Sequence, residues 1–142
     1  MADLMKGKRG LVMGVANERS IAWGIASALK AEGAELAFSY QGEAFGKRLA
    51  PLAASVGSDF MVDVDVTDEA SLDACFAALA ARWDSLDFVI HAIAFSDKTE
   101  LTGRFVKTTR GNFLNSLNIS CFSFIDVARR AEGMMPNGGA LI

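Results

Sequence analysis

The sequence predicts an α/β protein built on a doubly wound parallel sheet. Short apolar runs alternate along the chain with longer helical patterns, in the order β-α-β-α-β-α-β. Strands and helices that alternate in this way imply right-handed crossovers, and therefore a parallel sheet covered by helices on both faces. The positions of two glycines support this assignment, because Gly33 and Gly57 follow the first two helical patterns, where a left-handed C-terminal cap is expected.

The N-terminal part of the chain contains most of the predicted elements. The strands are the apolar runs at residues 10–13, 35–40, 59–64 and 87–91. The helices are the periodic stretches at residues 21–32, 43–56 and 69–83. The first of them repeats apolar residues at fourfold spacing, which is typical of a helix with one buried face, at Ile21, Ile25 and Leu29. Thr67 or Asp68 is expected to cap the third helix.

The C-terminal part predicts a long connection, a long helix and the beginning of a fifth strand. The polar connection at residues 96–108 has a length that is usually functional or mobile in a compact domain. The helix at residues 110–132 has among its apolar positions Phe113, Leu117, Phe122, Ile125 and Val127. Residues 136–139 break it, and residues 140–142 begin the fifth strand. We therefore expect a sheet that is cut short after the start of strand five, with an exposed or mispaired edge.

The composition excludes several classes of protein. A chain of 142 residues with 51% hydrophobic and 22% charged residues is typical of a single globular domain. The net charge of −3, with Lys and Arg scattered among the acids, provides no basic stripe, so no nucleic-acid partner is expected. No apolar run approaches the roughly 18 to 20 residues that cross a bilayer, and the N-terminus lacks the apolar core of a secretory signal. We therefore expect a cytoplasmic protein without a membrane partner.

The cysteines and the single histidine predict no metal site. Cys75 and Cys121 lie within apolar helical patterns, which favours buried, reduced thiols. His91 follows an apolar run, so we interpret it as a packed residue at a strand end, with a catalytic base as the alternative. One histidine without clustered cysteines leaves too few ligands for a metal ion.

The segment between Gly14 and Gly24 is the strongest functional signal. It joins the first strand to the first helix, where a parallel sheet presents free N–H groups and the positive end of a helix. Gly14 permits a sharp turn. Ser20 is expected at the N-cap, with its hydroxyl and the N–H groups of Ile21 and Ala22 facing the turn. The glycine spacing departs from the Gly-x-Gly-x-x-Gly fingerprint. A pyrophosphate site is one interpretation, and a capped helix in which Gly24 serves only packing is the other.

Two further segments lie at predicted strand ends, outside which the ligands of such sheets bind. Asp63 and Asp65 alternate at the end of the third strand, so that one could cap a backbone while the other accepts a hydrogen bond from an adenine amino group. Both could instead only solvate the strand end and cap the next helix. After the fourth strand, residues 91–96 place small side chains where a nicotinamide ribose would need close approach.

Together these segments resemble one known family, in order and over essentially the whole chain. The motif residues are Gly14-Val15-Ala16-Asn17, Ser20-Ile21-Ala22-Trp23-Gly24-Ile25-Ala26, the run from Gly33 to Gln41, Asp65-Val66 and His91-Ala92-Ile93-Ala94-Phe95. They resemble the N-terminal portion of the NADH-dependent enoyl-acyl-carrier-protein reductases of bacterial fatty acid synthesis, which are divergent short-chain dehydrogenase/reductases with a Rossmann-like fold. By this resemblance, residues 1–142 form a single dinucleotide-binding domain that is incomplete at its C-terminal end.

The resemblance implies an NADH site and the edge of an acyl pocket. By analogy with the family, Gly14, Ser20 and Ile21 hold the pyrophosphate and nearby ribose, Gln41 lies by the adenosine end, Asp65 and Val66 contact the adenine, Ile93 flanks the cofactor, and Ser96 lies at the edge of the acyl substrate pocket. The implied partners are an acyl carrier protein that carries an enoyl thioester and further copies of the chain, arranged as a homotetramer.

The resemblance also implies that no catalytic residue lies in this chain. In the family a tyrosine stabilises the enolate and a lysine holds the nicotinamide ribose, and both follow strand five. Tyr40 and Lys47 share the family spacing, but they lie at the end of strand two, so these residues alone are expected to be inactive. Two alternatives stay open: a noncatalytic nucleotide-binding module, and another short-chain dehydrogenase that acts on an alcohol or ketone.

Overall fold

The computed structural model describes residues 3–142, in which a parallel sheet has helices packed on both faces. The strands are β1 (Arg9–Met13), β2 (Glu35–Tyr40), β3 (Met61–Asp63), β4 (Phe88–His91) and β5 (Ala140–Leu141). The helices are α1 (Ile21–Ala31), α2 (Glu43–Ser55), α3 (Glu69–Arg82), α4 (Arg110–Leu117) and α5 (Ser123–Glu132). The strand order is β3-β2-β1-β4-β5 and every neighbouring pair is parallel, which confirms the predicted doubly wound sheet.

The sheet separates two hydrophobic cores, as the alternation of side chains along the central strand β1 requires. Leu11 and Met13 belong to the core that also contains buried residues of α3 and α5. Val12 belongs to the opposite core, with buried residues of α1 and α2. Ile21 joins neither core, because it is the first residue of α1 and its side chain is 81% exposed. The α1 residues that are buried are Ala22 and Ala26.

Three helix boundaries follow the predicted capping chemistry. Gly33 and Gly57 have φ values of +97° and +72°, so both predicted left-handed caps are confirmed. Asp68, rather than Thr67, caps α3, because its side chain accepts a hydrogen bond from the Ala70 N–H at 3.0 Å.

The third strand is shorter than the predicted range of 59–64, because β3 lies at the edge of the sheet. Before it, the carboxylate of Asp59 turns outward to the guanidinium of Arg82 at 2.5 Å. The ring of Phe60 lies under the same guanidinium, 4.9 Å from its central carbon, and packs edge-on against Trp83.

The predicted long helix at residues 110–132 is instead two α-helices joined through a π turn at Asn118–Phe122. Helical backbone angles at Asn118 and Ser123 keep the chain helical throughout. The hydroxyl of the buried Ser123 donates to the Ile119 carbonyl oxygen at 2.6 Å. A π turn is rare and is frequently found at functional sites, so its place in the fold is informative.

Most of the apolar residues predicted on this helix are at the surface. Val127 is fully buried. The exposed fractions of the others are 54% for Phe113, 46% for Leu117, 47% for Phe122 and 56% for Ile125. Cys121 is also exposed, so its predicted burial is wrong, because it lies in the outward part of the π turn. Cys75 is buried as predicted, and burial raises the pKa of its thiol to about 11.

Helix α5 is joined to α3 through a buried carboxylate. Asp126 is 3% exposed and accepts from the guanidinium groups of Arg129 and Arg130, with the Arg130 Nη1 at 2.7 Å. Arg130 also donates through Nε to the carboxylate of Asp73 on α3 at 2.7 Å. The chain of charges therefore ties the C-terminal helix to the body of the protein.

The polar connection and the fifth strand agree with the prediction only in outline. The connection contains two short 3₁₀ turns, Lys98–Glu100 and Phe105–Lys107. Strand β5 is at the sheet edge and is largely exposed, but it pairs in parallel register with β4 and is not mispaired. Within residues 3–142, no helix combines the length and the apolar character needed to span a membrane.

Candidate functional site

A cavity of about 630 Å³ opens at the carboxyl ends of β1 to β4. It is lined by the turns that follow these four strands and by the facing side of α4 and the π turn. The lining residues that follow β2 and β3 include Gln41, Asp65 and Val66, and Ile93 follows β4. A site at this edge of an open parallel sheet is where such folds bind their ligands.

A smaller cavity of about 410 Å³ adjoins the first at the N-terminus of α1. Ser20 and Ile21 line it, together with Gly14 and Ile93, which line both cavities. The structure therefore brings the seven predicted cofactor residues to one connected region. Ser96, the predicted substrate residue, lines neither cavity.

Gly14 occupies a position that excludes every other residue. Its φ of +97° is in the left-handed region that favours glycine. A Cβ at this position would lie 2.0 Å from the carbonyl oxygen of Ala92. The turn after β1 thus lies directly against the segment after β4, and a side chain would separate the two.

The N-terminus of α1 has free backbone donors. In the part of the chain that the structure describes, the N–H groups of Ile21 and Ala22 have no hydrogen-bond partner. The next two N–H groups, from Trp23 and Gly24, both donate to the Ser20 carbonyl oxygen, at 3.1 and 3.2 Å. Free donors at the positive end of a helix of 11 residues form a suitable site for an anion.

The structure confirms the expected position of Ser20 in this turn and contradicts one expectation about Gly24. Ser20 is the N-cap residue, but its hydroxyl donates to the Asn17 carbonyl oxygen at 2.7 Å and accepts no bond from the helix. Gly24 does not relieve close packing between helix and sheet, because a Cβ there would have no atom within 4 Å among the described residues. Close approach of Gly24 to a ligand stays a prediction.

The two aspartates at the carboxyl end of β3 have separate roles. Asp63 accepts a hydrogen bond from the N–H of Gly42, the N-cap of α2, at 2.9 Å. Asp65 lines the larger cavity, and its Oδ1 accepts from the N–H and the hydroxyl of Thr67 at 2.9 and 2.7 Å. These bonds from Thr67 hold the pKa of Asp65 below its usual range. Asp65 is therefore a charged acceptor at neutral pH.

His91 is packed at the end of β4, as predicted. Its Nε2 lies 2.7 Å from the hydroxyl of Ser123, and its ring meets Phe124 edge-on. Because the Ser123 proton is directed to the Ile119 carbonyl, Nε2 is assigned as the donor in a neutral imidazole. Burial lowers the pKa of His91, which agrees with the neutral form.

Ser96 is part of a polar contact with α4. Its hydroxyl oxygen lies 3.1 Å from the amide Nδ2 of Asn112 and 3.0 Å from the hydroxyl of Ser116. The next residue, Asp97, donates its N–H to the Asn112 Oδ1 at 3.0 Å. The structure therefore assigns Ser96 a contact with the helix, and contact with an acyl chain stays a prediction.

Several lining residues were not predicted from the sequence. The aromatic ring of Phe45, at the start of α2, lines the larger cavity, as do Asn115 and Ile119 from the helix that follows the long connection. The sequence did contain a signal that one face of this helix is polar, because its polar residues at 112, 116 and 120 recur at fourfold spacing. In residues 3–142 no group of three or more His, Cys, Asp or Glu side chains is arranged to hold a metal ion.

Comparison with known proteins agrees with this geometry. A family model described as Enoyl-(Acyl carrier protein) reductase matches residues 14–142. The chain is 59% identical over 142 residues to the enoyl-[acyl-carrier-protein] reductase [NADH] 2 of Rhizobium meliloti (strain 1021). That alignment covers 100% of this chain and 53% of the relative, so the chain spans about half the length of the curated relatives it matches.

Solved structures are similar over the same region. FabI from Candidatus Liberibacter asiaticus has a TM-score of 0.98 and 57% identity, covering 99% of this chain and 55% of that one. The enoyl-(acyl-carrier-protein) reductase from Anaplasma phagocytophilum, solved in complex with NAD, has a TM-score of 0.96 and 54% identity, covering 99% and 54%. On the family match and these likenesses, the chain belongs to the enoyl-(acyl carrier protein) reductase family.

Proposed function

We propose that residues 1–142 form one dinucleotide-binding unit that supplies the NADH site of an enoyl-acyl-carrier-protein reductase. The observation that carries the proposal is the close approach of Gly14 to Ala92, since a Cβ would close the space between them. The free N–H groups of Ile21 and Ala22 lie beside this approach and suit a pyrophosphate. Backbone contact of this kind is what a dinucleotide requires at the first turn of the sheet.

The adenosine end of NADH is proposed to lie in the larger cavity. Asp65 would accept from the adenine amino group, and Val66 and Gln41 would flank the base and its ribose. Asp65 is the only charged residue among those that line this cavity in residues 3–142. A 2′-phosphate would add negative charge without a cationic partner there, which supports NADH rather than NADPH.

The proposed reaction is the reduction of a trans-2-enoyl thioester carried on acyl carrier protein, in bacterial fatty acid synthesis. The cofactor would supply a hydride to the β-carbon, and a proton at the α-carbon would complete the saturated thioester. Ile93 and Ala94 would orient the nicotinamide and exclude water from one of its faces. Ser96 is proposed at the edge of the acyl pocket.

Titration calorimetry of the 142-residue chain with NADH and NADPH tests the cofactor assignment. We expect NADH to bind more tightly, and we expect Asp65→Ala to weaken NADH binding. Equal affinity for the two cofactors would contradict the role given to Asp65. Absence of binding to either would contradict the site as a whole.

The chain by itself is expected to lack turnover. Its single tyrosine, Tyr40, lies at the end of β2, with its ring against Gly46, and not after the fifth strand. An NADH oxidation assay with an enoyl thioester should give background rates for residues 1–142. A chimera in which the C-terminal half of the Rhizobium meliloti relative follows Ile142 should be active. Turnover by the chain alone, or an inactive but folded chimera, would contradict the proposal.

We also propose that the protein is cytoplasmic and forms a homo-oligomer, a tetramer by family resemblance. Two free thiols, one of them exposed, suit a reducing compartment. The exposed apolar residues of α4, the π turn and α5 form a surface that a second copy would cover. Analytical ultracentrifugation should give a mass above that of the monomer, and Leu117→Glu with Ile125→Glu should lower it.

A further inference from the structure

The segment after β4 loses its strand partners as it enters the site. The Ala92 N–H donates to the Met13 carbonyl oxygen at 3.0 Å, which is the last bond of this segment to β1. Within residues 3–142, the N–H groups of Ile93 and Ala94 have no hydrogen-bond partner. These two residues line both cavities, so we call residues 92–94 the shared wall. The position of the shared wall depends on what holds its far end.

One hydroxyl holds that far end. The Phe95 N–H donates to the Ser120 Oγ at 3.0 Å, and the Ser120 hydroxyl donates back to the Phe95 carbonyl oxygen at 3.2 Å. No other hydrogen bond to the backbone of Phe95 is present among the described residues. Both backbone polar groups of Phe95 therefore depend on Ser120.

Ser120 is the last of three polar side chains on one helix face. Asn112, Ser116 and Ser120 recur at fourfold spacing, and their bonding partners follow one another in the reverse order along the chain. We call these three side chains the polar ladder. The bonded pairs are Asn112 with Asp97, Ser116 with Ser96, and Ser120 with Phe95. The ladder ties the exit from β4 to α4 and the π turn, and its Ser120 end lies nearest to the shared wall.

Ser120 also stands between the two cavities. Ser120 itself lines the smaller cavity. Its bonded partner Phe95 and its neighbour Ile119 line the larger one. A shift of this single contact would therefore change both cavities at their common boundary.

We propose that Ser120 is a positioning residue for the dinucleotide site, which it serves by holding the shared wall at the distance that the cofactor requires. This inference rests on the proposed function, because the shared wall matters only if a dinucleotide lies against it. Ser120 acts through the backbone of Phe95 and needs no contact with the reacting atoms. Ser116 and Asn112 hold the same segment further from the wall and have smaller effects.

The test compares three variants of the chain in NADH titrations and in amide hydrogen exchange. Ser120→Ala removes both bonds to Phe95, and we expect exchange at the Phe95 N–H to accelerate and NADH affinity to fall about tenfold, as the loss of two ordinary hydrogen bonds allows. Ser120→Thr keeps a hydroxyl and should restore most of both quantities. Ser55→Ala is the control, because it removes a serine hydroxyl whose bond, to the Leu52 carbonyl oxygen, lies within α2, and because Ser55 lines neither cavity.

The outcomes separate this inference from the proposed function. Faster exchange at Phe95 with unchanged NADH affinity would overturn the positioning role while leaving the cofactor assignment intact. Unchanged exchange would overturn the contact itself. Failure of the unaltered chain to bind NADH would overturn the proposed function, and the positioning role with it. A fall in affinity that Ser120→Thr does not restore, or that Ser55→Ala matches, would also overturn the role of the hydroxyl.

Discussion

The two sides of the candidate site are fixed by different parts of the chain. On the β1 side, the approach of Gly14 to Ala92 and the free N–H groups of α1 are properties of the backbone. On the β4 side, the segment at residues 95–97 is held by side chains of the polar ladder. Backbone geometry of this kind admits no graded substitution, whereas side-chain bonds can be removed one at a time. We therefore expect abrupt effects on one side and graded effects on the other.

The most severe test of the comparison is Gly14→Val. The β-branched side chain would meet the Ala92 carbonyl and would be strained at a φ of +97°. We expect a loss of about 4 kcal/mol in the free energy of unfolding, together with loss of NADH binding. Chemical denaturation and calorimetry measure the two effects.

Gly24→Ala is the control for that variant. Gly24 lies inside α1, has no strained backbone angle, and has open space at the Cβ position. Alanine there should raise the free energy of unfolding by up to about 1 kcal/mol. If Gly14→Val and Gly24→Ala behaved alike, the backbone would not be what fixes the β1 side.

A second variant separates loss of global stability from loss of NADH affinity through the β4 side. Asp126→Ala would leave the guanidinium of Arg130, whose side chain is 12% exposed, without its buried partner. We expect a loss of about 3 kcal/mol in the free energy of unfolding. At temperatures well below the unfolding midpoint, NADH affinity should change less than in Ser120→Ala. A larger loss of affinity in Asp126→Ala would mean that the β4 side depends on helix docking rather than on the polar ladder.

The third prediction concerns Asp65, the charged acceptor that follows β3. Bonds from Thr67 lower the pKa of Asp65, so their stabilising effect is present above the ordinary pKa of a carboxyl and is lost as the pH falls through the lowered value. Thr67→Val should raise the pKa of Asp65 and move the acid limb of stability to higher pH. An NMR titration of the Asp65 carboxyl measures the shift directly. An unchanged pKa would contradict the assigned hydrogen bonds.

The smallest expected effect sharpens the backbone side. The Ser20 hydroxyl bonds to the Asn17 carbonyl and not to α1, so Ser20→Ala should change the free energy of unfolding by less than about 0.5 kcal/mol. Asp68→Ala removes a side chain that does cap a helix, and it should cost about 1 kcal/mol. Thermal unfolding of the pair measures the difference. Equal losses would show that Ser20 contributes as a cap after all.

The sheet and the location of the site could be predicted from the sequence because both depend on local patterns. Buried strands of a parallel sheet are continuous apolar runs, and the β2 range of 35–40 matches the structure at both ends. A glycine after a helix fixes a left-handed cap wherever the chain goes next, as Gly33 does. Because the strands are parallel, the residues that follow them meet at the same edge of the sheet.

The side-chain hydrogen bonds within a turn could not be predicted from local patterns. A serine hydroxyl at this position can bond either to a carbonyl of the turn or to an N–H of the helix. Which of the two it bonds depends on how residues 17–20 fold. Ile21 begins the fourfold apolar pattern of α1, but as the first residue of the helix it faces the site instead of the core. The π turn has no local sequence signal comparable to a glycine cap, so the helix at residues 110–132 was predicted as uninterrupted and Cys121 as buried.

The π turn has a consequence for angular phase. In a regular α-helix each residue advances by about 100°, so a side chain eight positions further on lies about 80° away from the first. Each residue of a π turn advances by a smaller angle than in an α-helix, which reduces the angle between Asn112 and Ser120 around the helix axis. The regular α-helix that follows then rotates Val127 into the core. One helix can thus present its first part to a ligand cavity and its last part to the hydrophobic interior. The extra residue in the turn acts as a phase correction between two surfaces with different requirements.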